Sequence, residues 1–199
     1  SPVSGSIETT AREVRERGRQ ALAIRLDLLD RKTIDTALEE TFARWGHIDL
    51  LLNNGIYTGR STLQHFLELD ESELRKMFEA NLFAQVHITQ RVLPAMLERG
   101  RGSIINMVSN AGLSDPPAPA GKGGWGFAYA ATKAAFNRLA GVLAGEHHGS
   151  GVLFHSLEPG LVITEAMALY DPSGEFAKRF GGAPMEVPAA AIAWLATSP

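Results

Sequence analysis

The chain has no cysteine, which excludes disulfides, thiolate nucleophiles and zinc–thiolate sites. That composition fits a reducing compartment, and a cytoplasmic location is expected. Neither sign of charge dominates, since 19 Lys and Arg stand against 22 Asp and Glu. Without a basic run there is no electrostatic footprint for nucleic acid or an anionic membrane surface. No apolar stretch approaches the ~20 residues that cross a bilayer. The 6 His lack ligand spacing, and His147 and His148 stand at a helix end where cations are favourable. No metal site is therefore expected. Also missing is any Gly-rich turn of the kind that seats a pyrophosphate on a helix N-terminus.

What remains is 199 residues, 45% of them hydrophobic, enough for one globular domain with a sizeable core. Helical and short apolar segments alternate, which is the α/β signature. Ile7 to Arg17 reads as a helix with Ile7, Ala11 and Val14 on one stripe and Gly18 as its stop. Ala21 to Leu26 reads as a strand ending at Asp27. Asp30 caps a helix whose buried face is Ile34, Leu38, Phe42 and Trp45, before Gly46. Ile48 to Leu52 is a continuous apolar run, as in a parallel strand covered on both faces. Helices fill Glu71 to Glu98, with Pro94 marking a kink or break. A strand from Ile104 to Val108, a helix through Tyr129, a strand from Val152 and a last helix near Pro188 complete the pattern.

The chemistry concentrates in GFAYAATKAAFNRLAG, where Tyr129 and Lys133 lie four residues apart and one turn above each other. A phenol with pKa about 10 is a poor acid or base at neutral pH. Bringing it near neutrality needs about 3–4 kcal/mol of differential stabilisation, which a fixed cation helps to supply. The plain alternative is a core tyrosine and a surface lysine at this spacing by accident. Upstream, GSIINMVSNAG delivers the Ser109 hydroxyl at the end of a strand, where open α/β sheets place their chemistry. LLLNNG closes another strand, Asn81 lies within a long helix, and Pro159-Gly160-Leu161-Val162-Ile163-Thr164 follows the Val152 strand.

Ser109, Tyr129-x-x-x-Lys133, the Asn53-Asn54 turn, Asn81 and P-G-x-x-x-T together resemble the short-chain dehydrogenase/reductase family, single-domain branch. The resemblance runs from about Ile7 to Ser198. It implies a Rossmann-like, doubly wound parallel sheet in three α/β/α layers, as a single domain over 1–199 that is incomplete at both ends. The family's first two strands, with their Gly-rich turn, and its last strand have no counterpart here. The chain is therefore expected to be a partial record of a longer enzyme. The implied function is an NAD- or NADP-dependent oxidoreductase interconverting a secondary alcohol and a ketone. Choice between the two nucleotides is set at the absent second strand.

By the same resemblance Tyr129 is the acid and base, Lys133 lowers its pKa and binds the nucleotide ribose, and Ser109 steadies the carbonyl oxygen. Asn81 matches the residue that holds a water linking Lys133 to solvent. Asp27, followed by Leu28, matches the contact to the adenine amine; a strand-end turn residue is the alternative. Asn53, Gly55, Pro159, Gly160, Val162 and Thr164 match further cofactor positions, Val162 and Thr164 at the carboxamide. Asn110, Trp125 and Met167 are the candidates for substrate contact. Two departures stand out. Asn53-Asn54-Gly55-Ile56 carries Ile56 where the family has glycine, and the twenty residues from Ser109 to Tyr129 exceed the usual spacing. The added segment is rich in proline and glycine, so a loop is expected there.

Glu165 to Glu186 falls where the family carries its substrate lid. Met167, Leu169, Tyr170, Phe176 and Phe180 make it amphipathic, with Gly181-Gly182 as a hinge. Apolar surplus on the helices around Asn81 to Leu97 and Tyr129 to Glu146 implies a homodimer or homotetramer built on them. The competing readings are a nucleotide-sugar epimerase or dehydratase, a cofactor-binding relative without turnover, and an inert fragment.

Overall fold

Helix ends fall where the sequence supplies caps. In the computed structural model, which describes residues 6–165 and 173–197, Ser6 accepts the Thr9 N–H at 3.1 Å and opens α1 (Ile7–Glu16). Gly18 follows with a left-handed φ of 74°. Asp30 accepts the Lys32 N–H at 3.0 Å and opens α2 (Arg31–Trp45), which Gly46 ends at φ 77°. These caps each contribute about 1 kcal/mol.

The described residues form two compact units, 27–158 and 6–26 with 159–165 and 173–197. In the first, β1 (Leu50–Asn53), β2 (Gly102–Met107) and β3 (Val152–Leu157) make a parallel sheet in the order β1-β2-β3. Between β1 and β2 run α3 (Glu71–Phe78), a π-helical turn (Glu79–Phe83) and α4 (Ala84–Arg99). Between β2 and β3 runs α5 (Phe127–Glu146). This is the α/β, Rossmann-like architecture, a parallel sheet with flanking helices. Its core joins Ile34 and Leu38 of α2 to Ala84, Ile88, Val92 and Met96 of α4, over Ile104 and Val152 of the sheet. Asp35 ties the two helices at their rim, 2.7 Å from His87 and 3.2 Å from Arg91.

In the second unit, β4 (Val162–Ile163) pairs in parallel with β5 (Ala183–Pro184). There α6 (Glu175–Phe180) precedes β5 and α7 (Glu186–Thr197) follows it. Pro188 is the third residue of α7, within the first turn where its missing N–H has no helical partner to lose.

Three expectations are corrected. Ala21 to Leu26 is not a strand, because no strand among the described residues pairs with it, and Leu22 and Leu26 stay exposed. Pro94 does not break its helix; α4 runs on to Arg99. Burial of Val92, Leu93 and Met96 around it offsets the one lost hydrogen bond. Trp45 lies on the α2 stripe by angle but is 39% exposed at the terminal turn. Met167, Leu169 and Tyr170 of the expected lid lie outside the described residues.

Ile104 is fully buried on the central strand. Ile104→Val should cost about 0.5–1.5 kcal/mol and Ile104→Ala about 2–5 kcal/mol, the second leaving a cavity. Urea unfolding followed by circular dichroism measures both.

Candidate active site

The site begins where β2 stops. Val108 still donates to the Leu157 carbonyl at 3.0 Å, continuing the ladder toward β3. Ser109 then leaves the sheet and caps a single 3₁₀ turn, Asn110–Gly112, its Oγ accepting the Ala111 N–H at 3.2 Å. This turn packs on α5. At the other end of the added loop, Gly126 caps α5 and donates to the Thr62 carbonyl at 2.8 Å. A Cβ on Gly126 would lie 2.8–3.2 Å from the carbonyl oxygens of Ser61, Thr62 and Gln64. The helix therefore starts where only glycine fits, and Tyr129 is its third residue.

Burial raises the Tyr129 phenol above its ordinary pKa; a hydrogen bond with Ser109 opposes the rise and the Glu158 carboxylate adds to it. Sequence reasoning anticipated the reverse, a phenol lowered by Lys133. The Lys133 ammonium is instead engaged elsewhere, donating to the Met107 carbonyl at 2.9 Å and lying 5.9 Å from the Phe136 ring centroid. Lys133 is only 7% exposed, and burial pushes its pKa down from 10.5 to about 8. One acceptor among the described residues leaves two of its three N–H donors to serve a ligand hydroxyl. These donors fit the nucleotide ribose that the resemblance assigns to Lys133.

Asn81 is buried in the π-helical turn, a backbone feature common at functional sites. Its Oδ1 accepts the Tyr57 N–H at 2.7 Å and its Nδ2 donates to the Tyr57 carbonyl at 3.0 Å. The amide thus clamps the loop after β1. One turn on, Gln85 Nε2 donates to the Gly55 carbonyl at 2.8 Å. Gly55 faces Leu28, whose Cδ1 lies 3.2 Å from where a Cβ would stand. Leu28 and Gly55 are therefore brought together. Asp27 accepts the Leu29 N–H on Oδ1 at 2.9 Å, which is the behaviour of a turn residue. Asn53 is 3% exposed; its amide donates to Asn106 Oδ1 at 2.9 Å and Thr89 Oγ1 at 3.1 Å. Its side chain supports the turn from beneath.

Asn110 is exposed, with its Oδ1 taken by the Ser114 hydroxyl at 2.9 Å. Trp125 is half-buried, and its indole Nε1 is buried with no partner among the described residues. Pro159, Gly160, Val162 and Thr164 belong to the second unit, where Gly160 takes a left-handed φ of 70° and Val162 pairs with Ala183. Met167 lies outside the described residues. Gln85, Thr89, Asn106, Gly112 and Asn137 went unnoticed in the sequence. Gln85 and Asn137 had a usable signal, each four residues beyond a marked position, Asn81 and Lys133.

The family model described as short chain dehydrogenase matches residues 3–173. An NADP-dependent 3-hydroxy acid dehydrogenase of Salmonella typhi is 35% identical over 148 residues, covering 74% of this chain and 56% of that protein. A 2-keto-3-deoxy-L-fuconate dehydrogenase of Xanthomonas campestris is 33% identical over 153 residues, covering 74% and 48%. The solved structure of a short-chain dehydrogenase from Streptomyces avermitilis superposes with a TM-score of 0.75 at 32% identity, covering 98% of this chain and 73% of that one. The chain spans about half the length of the curated relatives it matches.

The buried lysine makes stability depend on pH. Its folded pKa, about 8, lies below the ordinary 10.5, so between those values the unfolded chain binds more protons. Stability should therefore rise with pH through that window, by up to about 3 kcal/mol. Lys133→Met should remove the rise and be the more stable protein near neutrality. Denaturant unfolding of both proteins at about pH 7 and pH 10 checks this; parallel curves would contradict it.

Proposed function

The chain belongs to the short-chain dehydrogenase family, and from that premise we propose an NAD(P)-dependent oxidoreductase interconverting a secondary alcohol and a ketone, with Tyr129 as acid and base. The observation that carries the proposal is the Ser109 turn held against α5, the helix that carries Tyr129 and, one turn farther on, the buried Lys133. The nicotinamide, when bound, supplies the hydride to the carbonyl carbon in reduction and receives it in oxidation. Tyr129 delivers its proton to the carbonyl oxygen as negative charge develops there. Ser109 Oγ–H donates to the same oxygen, as an oxyanion-type stabiliser.

Lys133, the Gly55 turn with Leu28, and Asp27 are the residues of the first unit that would hold the nucleotide. The NADP dependence named for the Salmonella relative favours NADP. Hydroxy and keto acids named for the relatives suggest a small oxygenated substrate. A nucleotide-sugar epimerase or dehydratase has no observation in its favour.

Tyr129→Phe should cut turnover by orders of magnitude and leave dinucleotide affinity nearly unchanged, because the phenol acts where transition-state charge develops. Ser109→Ala should cost about 10²–10³ in kcat. Steady-state kinetics with a panel of hydroxy acids and ketones, alongside nucleotide titration, tests the reading. Undiminished turnover in Tyr129→Phe would defeat it.

We also propose a homodimer or homotetramer formed through α4, its preceding π-helical turn and α5. Phe83 is 51% and Val142 47% exposed, and Gly141 has open space where a Cβ would stand. Ala140, by contrast, is buried within the chain. Surplus apolar surface beside small residues suits close packing of a partner helix. Val142→Glu should dissociate the assembly in light scattering; a monomeric full-length protein at micromolar concentration would refute the proposal.

A further inference from the structure

We infer that Gly112 and Asn137 are positioning residues that seat the Ser109 hydroxyl against α5 and thereby fix its approach to Tyr129. The inference rests on the site reading above. A Cβ on Gly112 would lie 2.5 Å from Ala134 N and Lys133 C, and 2.7 Å from Lys133 O. These are helix backbone atoms, which have no rotamer to yield with. Gly112 is not among the glycines with positive φ, so nothing in its own conformation requires glycine. Contact alone does. The 3₁₀ turn closes on α5 as tightly as a bare backbone allows.

Asn137 holds the same turn from farther along the helix. Its Nδ2 donates to the Ser109 carbonyl at 3.3 Å, and the Gly112 N–H donates to that carbonyl at 3.0 Å. The Asn137 Oδ1 is buried without a partner among the described residues. A buried, half-satisfied amide costs stability, so its place is not explained by its own hydrogen bonding. Tyr129, Lys133 and Asn137 recur every four residues on one stripe of α5. One helix face thus carries the phenol and grips the residue that bonds it. Ser109 lowers the phenol pKa, against burial and against Glu158, the charged group that acts on it. Loosening the turn should weaken that lowering.

The test is an ultraviolet titration of tyrosinate in the full chain, with the Tyr129→Phe curve subtracted to isolate Tyr129. Ser109→Ala sets the reference, an upward shift of about half to one pH unit for one lost hydrogen bond. Gly112→Ala and Asn137→Leu should each move Tyr129 in the same direction. Adding either change to Ser109→Ala should give no further shift, and Asn137→Gln, which keeps a donor, should shift less than Asn137→Leu. In turnover both variants should lose kcat, by up to about 100-fold for a misplacement near 1 Å, at unchanged dinucleotide Kd. If Gly112→Ala does not fold, Asn137→Leu carries the decision. An unmoved Tyr129 titration in folded Asn137→Leu, beside a shifted Ser109→Ala, overturns the inference. An unmoved Ser109→Ala curve overturns the Ser109–Tyr129 pairing itself, and the inference with it. Because the titration needs no substrate, failure to find turnover leaves it decisive.

Discussion

Burying the Lys133 ammonium is the constraint to which the surrounding structure answers. A cation taken from water loses several kcal/mol of solvation unless the protein supplies dipoles in return. Here the Met107 carbonyl and the Phe136 ring are what it meets. The carbonyl belongs to the last residue of β2, so the charge is tied to the strand that leads to Ser109. Lys133 therefore does three things by geometry. It anchors α5 to the sheet, keeps Tyr129 a fixed turn away, and stays poised near physiological pH with donors to spare. That unsatisfied capacity costs stability near neutrality, and such local costs concentrate at functional sites.

The turn after β1 is held by a second device. Asn53 donates to Asn106 and Thr89, Thr89 donates to the Gln85 backbone carbonyl, and the Gln85 side chain donates to the Gly55 carbonyl. Asn81 closes on Tyr57 two residues farther on. Both grips come from the same helical stretch, and the π-helical turn between α3 and α4 is where Asn81 sits. A single α-helix advances about 100° per residue, so positions four apart face nearly the same way. The wider turn offsets Asn81 from the stripe that packs on the sheet. The same segment can then hold the loop with polar groups and the core with Ile88, Val92 and Met96.

Elements announced by composition and period were legible in the sequence. The β2 strand, the Asp30 cap, the Gly46 stop and the Tyr129 helix stand within two residues of where pattern and capping placed them. Ala21 to Leu26 failed for a different reason: an apolar run is only a candidate, and a strand exists through the neighbour it pairs with. Site residues divide similarly. Tyr129, Lys133 and Ser109 stand out as candidates because their side-chain chemistry is distinctive at their spacing. Gly112 was not, because its function lies in the absence of atoms beside a helix far along the chain. The burial of the Asn53 side chain against Asn106 and Thr89 was not legible, since an amide in a motif does not reveal which way it faces.

The pKa of Tyr129 shows why a correct set of residues can suggest the wrong electrostatics. Spacing along a helix fixes that Lys133 is near, but not what its ammonium points at. Once the cation is bound to Met107, burial dominates and the phenol rises. The influence left to lower it comes from Ser109, a neutral hydroxyl whose effect depends on a hydrogen bond and so falls steeply with distance. A charge would act over several ångströms and forgive a loose fit. A hydroxyl does not, so the Ser109 turn must be held against backbone with no side chain between. The catalytic-looking tyrosine, the buried lysine and the bare glycine are then three consequences of putting a phenol in a dry site and tuning it by contact.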